Sequence, residues 1–280
     1  RGYGVRVIST ENRGLSSARN TCLAAASGEI IAYTDDDVIV DPGWIGALAR
    51  VFAADPDVMA VTGLVMPAAL DTPAQVLFEK YGGFGRGYVR WWYAAEDPGP
   101  LGMRFGGAGR FGTGANMAYR RTVFDRIGPF DPALDVGTVT NGGGDLEMFF
   151  RVLKTGYTLV YEPAAIVFHR HRETYAELRR QLADNGTGFF SYLVRAWLHT
   201  PDERLSLLRL GVWWLWWWNL RRLLRSYLGL EEFPRDLILA ELKGSLIGLG
   251  RYPRARRIAA GIARAHPSPI LAPERSGDPA

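Results

Sequence analysis

Residues 28–45 read GEIIAYTDDDVIVDPGWI and place three consecutive aspartates directly after an apolar run. The run at residues 29–34 is almost continuously apolar, which is typical of a strand that is buried on both faces of a parallel sheet. Pro42 stands where a helix would begin, and the amphipathic segment after it ends before Pro56. The stretch therefore predicts a strand, an acidic connection and a helix, the repeating unit of an α/β domain.

The neighbouring segments continue this alternation. We expect a short strand at residues 5–10, a helix that ends near Gly28, and a third strand at residues 58–67. Strands that alternate with helices are joined by crossover connections, which favours a mostly parallel sheet.

The middle of the chain is less regular. Residues 68–110 are rich in glycine and aromatic residues and predict a long, partly mobile segment that lines a site. A glycine-rich loop then leads into a helix that ends at Gly156, and a strand pair broken at Pro163 follows.

Composition limits the classes of protein that fit. The chain has 280 residues, 48% of them hydrophobic, which suffices for one large domain or for a domain with an appendage. Its only cysteine, Cys22, excludes an intramolecular disulfide and the usual structural zinc sites. Residues 201–265 hold twelve Lys and Arg against six Asp and Glu, while the whole chain is only +4. The basic surplus lies near the C-terminus, which argues against a nucleic-acid-binding core.

The aspartate triplet has two interpretations. On a strand, Asp35 and Asp37 would share one side and Asp36 would face the other. Hard divalent cations that hold a diphosphate need one or two carboxylates, and a cation would remove the repulsion within the triplet. The triplet therefore fits Mg²⁺ or Mn²⁺ with a phosphate-bearing ligand. The alternative is a solvated acidic turn that caps the following helix.

The triplet lies in the first of three motifs. NRGLSSARNTCLAAASGEIIAYTDDDV (residues 12–38), GTGANMAYRR (112–121) and NGGGDLEMFFRVLKTGY (141–157) follow each other in this order. Together they resemble a family 2 glycosyltransferase with a GT-A fold, over roughly residues 5–172. Within the first motif the resemblance rests on Asn12, Gly14, Ala18, Arg19, Asn20, Ala26, Gly28 and Glu29.

The resemblance implies a fold and an activity. The fold would be a GT-A-like mixed, mostly parallel sheet flanked by helices over residues 1–172, with a helical, tryptophan-rich extension over residues 173–280. The first nucleotide-binding elements of the family would precede this sequence. The activity would be inverting transfer of a sugar from a nucleotide-diphosphate sugar to a glycan or lipid-linked acceptor, in cell-envelope or exopolysaccharide synthesis.

The resemblance also implies a metal site. Mn²⁺ or Mg²⁺ would be held by Asp35 and Asp37, of which Asp37 is the better candidate for direct coordination. His169, at the end of the last strand, would complete the site or hold the diphosphate; the alternative is a polar strand end beside solvent.

Asp145 takes the place of the catalytic base in the family pattern. The family usually has Glu-Asp there, whereas this chain has Gly144 and Asp145, so the role of the missing glutamate is open. Glu147 is the second candidate for the base. The alternative for Asp145 is a helix N-cap.

The remaining expected contacts are with the donor. Arg19 would contact the diphosphate or the base of the donor; the alternative is a solvated arginine on a helix face. The residues predicted to bind the donor are Asn12, Arg19, Asp35, Asp36, Gly114, Asn116 and Glu147.

Five of the nine tryptophans fall between Trp213 and Trp218. The uncharged run around them, residues 210–220, is shorter than the roughly 20 apolar residues that a membrane-spanning helix needs. Because tryptophan prefers the headgroup level, the run predicts a helix that lies in the membrane surface. The alternative is a helix packed on the catalytic domain.

A final helix from Asp236 leads into the basic stretch RYPRARR (251–257), which suits anionic lipid. We therefore expect a cytoplasmic protein, peripheral on the inner face of the cell membrane. A non-catalytic, membrane-associated module that binds nucleotide sugars is the alternative function. A phosphatase with a nucleophilic aspartate is disfavoured, because Val38 stands close to where such enzymes need a threonine.

Overall fold

A computed structural model describes residues 4–97 and 108–265 of the chain. Six strands form one sheet in the order β1-β5-β3-β6-β2, and β4 pairs with β6 beside this path. The strands are β1 (Ile30–Thr34), β2 (Val38–Val40), β3 (Val58–Pro67), β4 (Trp91–Tyr93), β5 (Asn116–Arg120) and β6 (Thr158–His169).

Helices cover both faces of this sheet. They are α1 (Leu15–Ala25), α2 (Trp44–Ala54), α3 (Pro73–Tyr81), α4 (Arg121–Ile127), α5 (Gly144–Lys154), α6 (Tyr175–His199), α7 (Arg204–Trp213), α8 (Arg221–Tyr227) and α9 (Arg235–Ala265). A π-helical segment, Trp214–Leu220, joins α7 to α8. The predicted mixed sheet flanked by helices, followed by a helical C-terminal region, is confirmed.

Most of the ladders are antiparallel. Within the described residues only β3 and β6 pair in parallel. The expectation of a mostly parallel sheet is therefore wrong, because β5 runs back between β1 and β3, and because β2 and β4 each meet β6 in the opposite direction.

The predicted strand at residues 5–10 does not form. Residues 4–14 belong to no helix or strand, and Val5 and Val7 are 77% and 81% exposed. An apolar segment becomes a strand only against a partner that takes up its N–H and C=O groups, and the described residues offer none here.

The predicted break at Pro163 is a bulge within one strand. In the register with β3, Gly63 lies opposite Glu162 and Leu64 lies opposite Ile166, so three residues of β6 bulge out. Proline has no N–H to give to a ladder and is tolerated at such bulges. Strand β6 therefore continues past the bulge and carries His169 at its end.

Helix α3 lies inside the segment that was expected to be irregular. Thr72 accepts a hydrogen bond from the backbone N–H of Gln75, whose side chain in turn caps Thr72, and Pro73 is the first helical residue. This capping box is legible in the sequence TPAQ, and it starts a helix whose Phe78 is almost fully buried.

The C-terminal helices pack on the sheet domain. Phe189 and Tyr192 of α6 share a hydrophobic core with Phe149 and Phe150 of α5. The division at residue 172 stays a prediction, since this core crosses it. Helix α9 also runs on through Pro253, beyond the expected start of a basic tail.

Helices α6 and α9 approach each other closely at glycines. A Cβ atom on Gly244 would lie 1.9 Å from the carbonyl oxygen of Ala183, and one on Gly248 would lie 2.6 Å from that of Thr187. Only glycine permits such a backbone contact.

The tryptophan-rich segment has two sides. Trp214 stacks on Phe189 at 4.3 Å between ring centroids, and Trp218 meets Tyr81 of α3 edge to face at 5.6 Å. Trp216 and Trp217 are 57% and 49% exposed. Among the described residues, no helix combines the length and the apolar character needed to cross a bilayer.

We expect Gly244→Ala to lower the free energy of unfolding by about 3 kcal/mol, because the new methyl group overlaps a backbone carbonyl that cannot move away freely. Gly250→Ala in the same helix is the matched control, since its Cβ would meet nothing within 4 Å. Denaturant titration should show the control within about 1 kcal/mol of the wild type. Equal stability of the two variants would contradict the close α6–α9 contact.

Candidate active site

The aspartate triplet lies in the turn between β1 and β2. Asp35 follows the last residue of β1, and Asp36 and Asp37 form the turn. Asp36 is exposed, whereas the side chains of Asp35 and Asp37 are each 31% exposed. The outer two aspartates are the more buried ones, as expected. The expected reason is wrong, because the triplet lies in a turn and not on a strand.

The triplet does not cap the following helix. The N-cap of α2 is Gly43, and no acidic residue lies in the first turn of α2. Asp41, rather than the triplet, accepts a hydrogen bond from the backbone N–H of Gly43 at 2.7 Å. The capping alternative is therefore wrong, and another cause is needed for three adjacent carboxylates.

Asp37 faces His169 across the end of the sheet. The Nε2 atom of His169 lies 3.4 Å from Oδ1 of Asp37, and the backbone N–H of Arg170 donates to the carbonyl of Asp37 at 3.1 Å. Burial lowers the pKa of His169, and the charge of Asp37 opposes that effect. A neutral imidazole beside a carboxylate is the form in which histidine binds a metal.

Asp35 is held in a crowded acidic environment. Burial raises its pKa to about 6; the charge of Arg19 counteracts this, whereas the carboxylates of Asp37, Asp145 and Asp135 reinforce it. The four carboxylates thus converge on one place, where added positive charge would stabilise them.

A divalent cation partly fits this place. Within the described residues, no group of three or more His, Cys, Asp or Glu side chains is arranged to hold a metal ion. Asp37 and His169 form a pair, which suits a cation whose other positions are filled by diphosphate oxygens and water. The residues present therefore fit a metal that binds together with a phosphate-bearing ligand.

Arg19 lies beneath the acidic turn, 6% exposed, on α1. Its guanidinium donates to Asp135 at 2.5 Å, lies 3.7 Å from Asp35 and contacts the carbonyl of Gly114 at 3.5 Å. It is not the solvated arginine of the alternative interpretation. Its contact with a donor stays a prediction; the contacts described here are with the protein.

Asp135 is the site residue that sequence reasoning missed. It is 5% exposed and has a φ of 88°, a left-handed conformation that a non-glycine residue keeps only when its surroundings fix it. Here Arg19 and the hydroxyl of Ser16, at 3.4 Å, hold its carboxylate. The segment FDPALDVG around it carried no signal for this role.

Asp135 also explains why this chain has Gly144 where the family pattern has a glutamate. A Cβ atom on Gly144 would lie 2.6 Å from Oδ2 of Asp135 and 2.7 Å from Oγ of Ser16. The carboxylate of Asp135 thus occupies the space that a side chain at position 144 would need. The chain places an acid from another loop beside the helix N-terminus where the family pattern has a glutamate.

Asp145 lies in the first turn of α5 with its carboxylate half-buried. Its Oδ2 accepts a hydrogen bond from the backbone N–H of Gly114 at 2.8 Å. The N-cap of α5 is Gly143, which rules out Asp145 as the capping residue. Gly114 lies over Arg19, and a Cβ atom there would be 2.5 Å from Nη2 of that arginine. The catalytic role of Asp145 stays a prediction.

Glu147 does not reach the site. It is fully buried and pairs with Arg151 at 2.7 Å and with Arg195 of α6 at 2.6 Å. The predicted donor contact is wrong because position 147 faces α6, so Glu147 ties α5 to α6 instead.

Asn116 is likewise a structural residue. It is fully buried, its Oδ1 accepts from the indole N–H of Trp44 at 2.8 Å, and its amide nitrogen donates to the carbonyls of Leu64 at 3.0 Å and Ala165 at 2.8 Å. All of these partners are protein groups around the β6 bulge. The predicted donor contact is therefore wrong.

Asn12 and Asp36 lie at the exposed edge of the region. The side-chain oxygen of Asn12 accepts from the backbone N–H of Gly14 at 3.2 Å, a local turn that precedes α1. Gly14 has a φ of 92°, and Thr138 fills the space where its Cβ would lie. The donor contacts of Asn12 and Asp36 stay predictions.

We expect Asp135→Asn to lower the free energy of unfolding by about 3 kcal/mol, because it leaves the buried charge of Arg19 without its shortest ion pair. Asp125→Asn, an exposed change on α4, is the control and should stay within about 0.5 kcal/mol of the wild type. Denaturant unfolding measures both. A variant at position 135 as stable as the control would contradict this role.

Comparisons with known proteins agree with these features. Residues 1–128 match the family model of glycosyl transferase family 2. A glucosyl-dolichyl phosphate glucuronosyltransferase from Haloferax volcanii is 27% identical over 168 residues, covering 57% of this chain and 49% of the relative. A pre-mycofactocin glycosyltransferase from Mycobacterium tuberculosis is 30% identical over 166 residues, covering 58% of this chain and 31% of the relative.

A solved mannosyltransferase from Pyrobaculum calidifontis, in complex with GDP-Man and Mn²⁺, aligns with 94% of this chain and 59% of its own, at 17% identity and a TM-score of 0.46. The chain spans half or less of the length of the two curated relatives. The matched segment contains α1, the acidic turn, β5 and α4, and with them all of residues 112–121. By this match, residues 1–128 resemble a glycosyl transferase family 2 domain, and the named relatives are glycosyltransferases.

Proposed function

We propose that this protein transfers a sugar, with inversion, from a nucleotide-diphosphate sugar to a glycan or lipid-linked acceptor in cell-envelope or exopolysaccharide synthesis. The observation that carries the proposal is a cluster at one end of the sheet: Asp37 lies 3.4 Å from His169, and the charges of Asp37, Asp135 and Asp145 act on Asp35. An arrangement that crowds negative charge around a histidine suits a cation with a diphosphate.

Asp37 and His169 would hold Mn²⁺ or Mg²⁺, with Asp35 beside them. When bound, such a cation supplies positive charge for the diphosphate that leaves the sugar. The remaining positions would be taken by diphosphate oxygens and water, which agrees with the pairing of Asp37 and His169 in the described part of the chain.

Asp145 would act as the base. Its Oδ2, held by the N–H of Gly114, would accept the proton of the acceptor hydroxyl. The acceptor oxygen forms a bond to the anomeric carbon as the bond from that carbon to the diphosphate breaks, and a nucleoside diphosphate leaves. Attack from the side opposite the leaving group inverts the anomeric configuration.

A lipid-linked acceptor has separate support. The relative from Haloferax volcanii carries glucosyl-dolichyl phosphate, a sugar on a lipid phosphate, in its name. In this chain an exposed apolar face runs along α7, the π-helical segment and α8. Its residues are Leu205, Leu208, Val212, Trp216, Trp217 and Leu224. Arg209 and Arg225 are exposed near it, and Arg221 lies 4.3 Å over the ring of Trp217. We propose that this face lies in the inner, cytoplasmic surface of the membrane.

The transfer activity is tested by screening nucleotide sugars for Mn²⁺-dependent release of nucleoside diphosphate, with a membrane extract as the source of acceptors. Asp145→Asn should lower release by about 10²- to 10⁴-fold, because the acceptor loses its base. Asp37→Ala should lower release to the level measured with a chelator.

Asp57→Ala, at an exposed position before β3, is the matched control and should leave release unchanged. Donor binding that survives in Asp145→Asn together with unchanged product formation would contradict the assignment. Donor binding by the wild type without any release would favour the non-catalytic module.

Membrane binding is tested by sedimentation with vesicles that contain anionic lipid. We expect Trp216→Ser with Trp217→Ser to weaken binding by about tenfold or more, since two aromatic side chains would leave the interface. Ile45→Ser, which removes a 71% exposed apolar side chain from α2 on the other face of the sheet, is the control. Equal binding by all three proteins would contradict the proposed membrane face.

A further inference from the structure

Four side chains form a continuous series of contacts from the acidic turn into the protein. Nε2 of His169 lies 3.4 Å from Asp37, Nδ1 of His169 lies 3.2 Å from Nδ1 of His171, and Nε2 of His171 lies 2.7 Å from Oε1 of Glu79. We call Asp37, His169, His171 and Glu79 the histidine relay. Only its first two members belong to the proposed metal site.

The inner part of the relay is shielded from water. The side chains of His169 and His171 are 8% and 1% exposed. Phe84 meets the ring of His169 edge to face at 5.0 Å, and Phe78 meets the ring of His171 in the same way at 4.8 Å. Shielded from solvent in this way, each ring nitrogen has to find its hydrogen-bond partner within the relay.

The backbone around Gly83 leaves room for the side chain of Glu79. A Cβ atom on Gly83 would lie 2.4 Å from Oε1 of Glu79, and Gly83 has a φ of 50°. The side-chain amide of Gln75 also donates to the carbonyl of His171 at 3.4 Å. Helix α3 and the turn after it therefore leave one space for the Glu79 carboxylate, directly against His171.

The contacts determine which ring nitrogens carry protons when a cation is bound. A metal on Nε2 of His169 leaves the ring proton of that histidine on Nδ1, where it needs an acceptor. The facing atom is Nδ1 of His171, which accepts only if His171 carries its own proton on Nε2. A carboxylate is an acceptor only, so Glu79 at 2.7 Å keeps that proton on Nε2.

We propose that Glu79 and His171 are positioning residues, which hold His169 with its proton on Nδ1 and thereby present the lone pair of Nε2 to a divalent cation beside Asp37. The inference rests on the metal role of His169 in the proposed function. Outer partners of this kind fix the tautomer and orientation of a metal-binding histidine, and their loss costs about 10- to 100-fold in metal affinity.

The first test measures, by electron paramagnetic resonance, the binding of Mn²⁺ in the presence of inorganic pyrophosphate, which stands for the diphosphate of the donor. Glu79→Gln is nearly isosteric, but its amide can donate as well as accept, so the direction of the relay is lost. We expect this variant to bind Mn²⁺ about 10- to 100-fold more weakly than the wild type. Glu232→Gln, a 93% exposed glutamate that pairs with Lys80 beside position 79, is the matched control and should bind as the wild type does.

The outcomes separate this inference from the proposed function. Wild-type affinity in Glu79→Gln, with binding lost in His169→Ala, overturns the positioning role and keeps the metal role. A wild type that binds no Mn²⁺, or His169→Ala that binds as well as the wild type, overturns the metal role and the inference with it.

The second test reads the tautomer directly, which a merely structural effect on stability would not change. Nitrogen-15 spectra of the histidines in the Mg²⁺-loaded wild type should show His169 protonated on Nδ1 and His171 protonated on Nε2. In Glu79→Gln the metal-free protein should show mixed tautomers at His171. A wild type with its His169 proton on Nε2 in the presence of bound Mg²⁺ overturns the proposal.

Discussion

One buried guanidinium lies beneath the whole acidic end of the sheet. Arg19 forms ion pairs with Asp135 and Asp35 and so holds both carboxylates in place. Burial lowers the pKa of Arg19, but the negative charges of Asp135 and Asp145 outweigh this effect and raise it. Because a buried charge requires partners, α1, the loop around residue 135 and the acidic turn are held at one place. The carboxylate of Asp145 is kept in register with them through Gly114, whose carbonyl and N–H contact the arginine and the aspartate.

A second constraint acts at the bulge of β6. Asn116 bonds to Trp44, Leu64 and Ala165, and so joins α2, β3 and the bulged residues with one side chain. A bulge changes the direction of a strand and its side chains. Here it lets one strand pair with β4 before the bulge and with β2 after it, which brings His169 beside the turn that carries Asp37.

The elements whose sequences have a clear period or motif could be predicted: α1, β1, α2, β3 and α5 lie near their expected places. The sequence could not reveal the direction of β5, since strand pairing is decided by distant segments. Asn116 and Glu147 fit the family pattern by position, yet burial by surrounding elements, a tertiary property, fills their hydrogen-bonding capacity. Asp135 was missed because its partner Arg19 is 116 residues away and no local pattern links them.

Helix α3 has a consequence that reaches across the molecule. Glu79 near its end contacts His171, while Tyr81, two residues on, contacts both Trp218 and Glu241. One short helix thus contacts the buried histidines on one side and the tryptophan-rich segment on the other. A ligand that shifts α3 through that segment would also shift Glu79. Lipid and cation would then be coupled ligands, each altering the affinity of the protein for the other by the same factor.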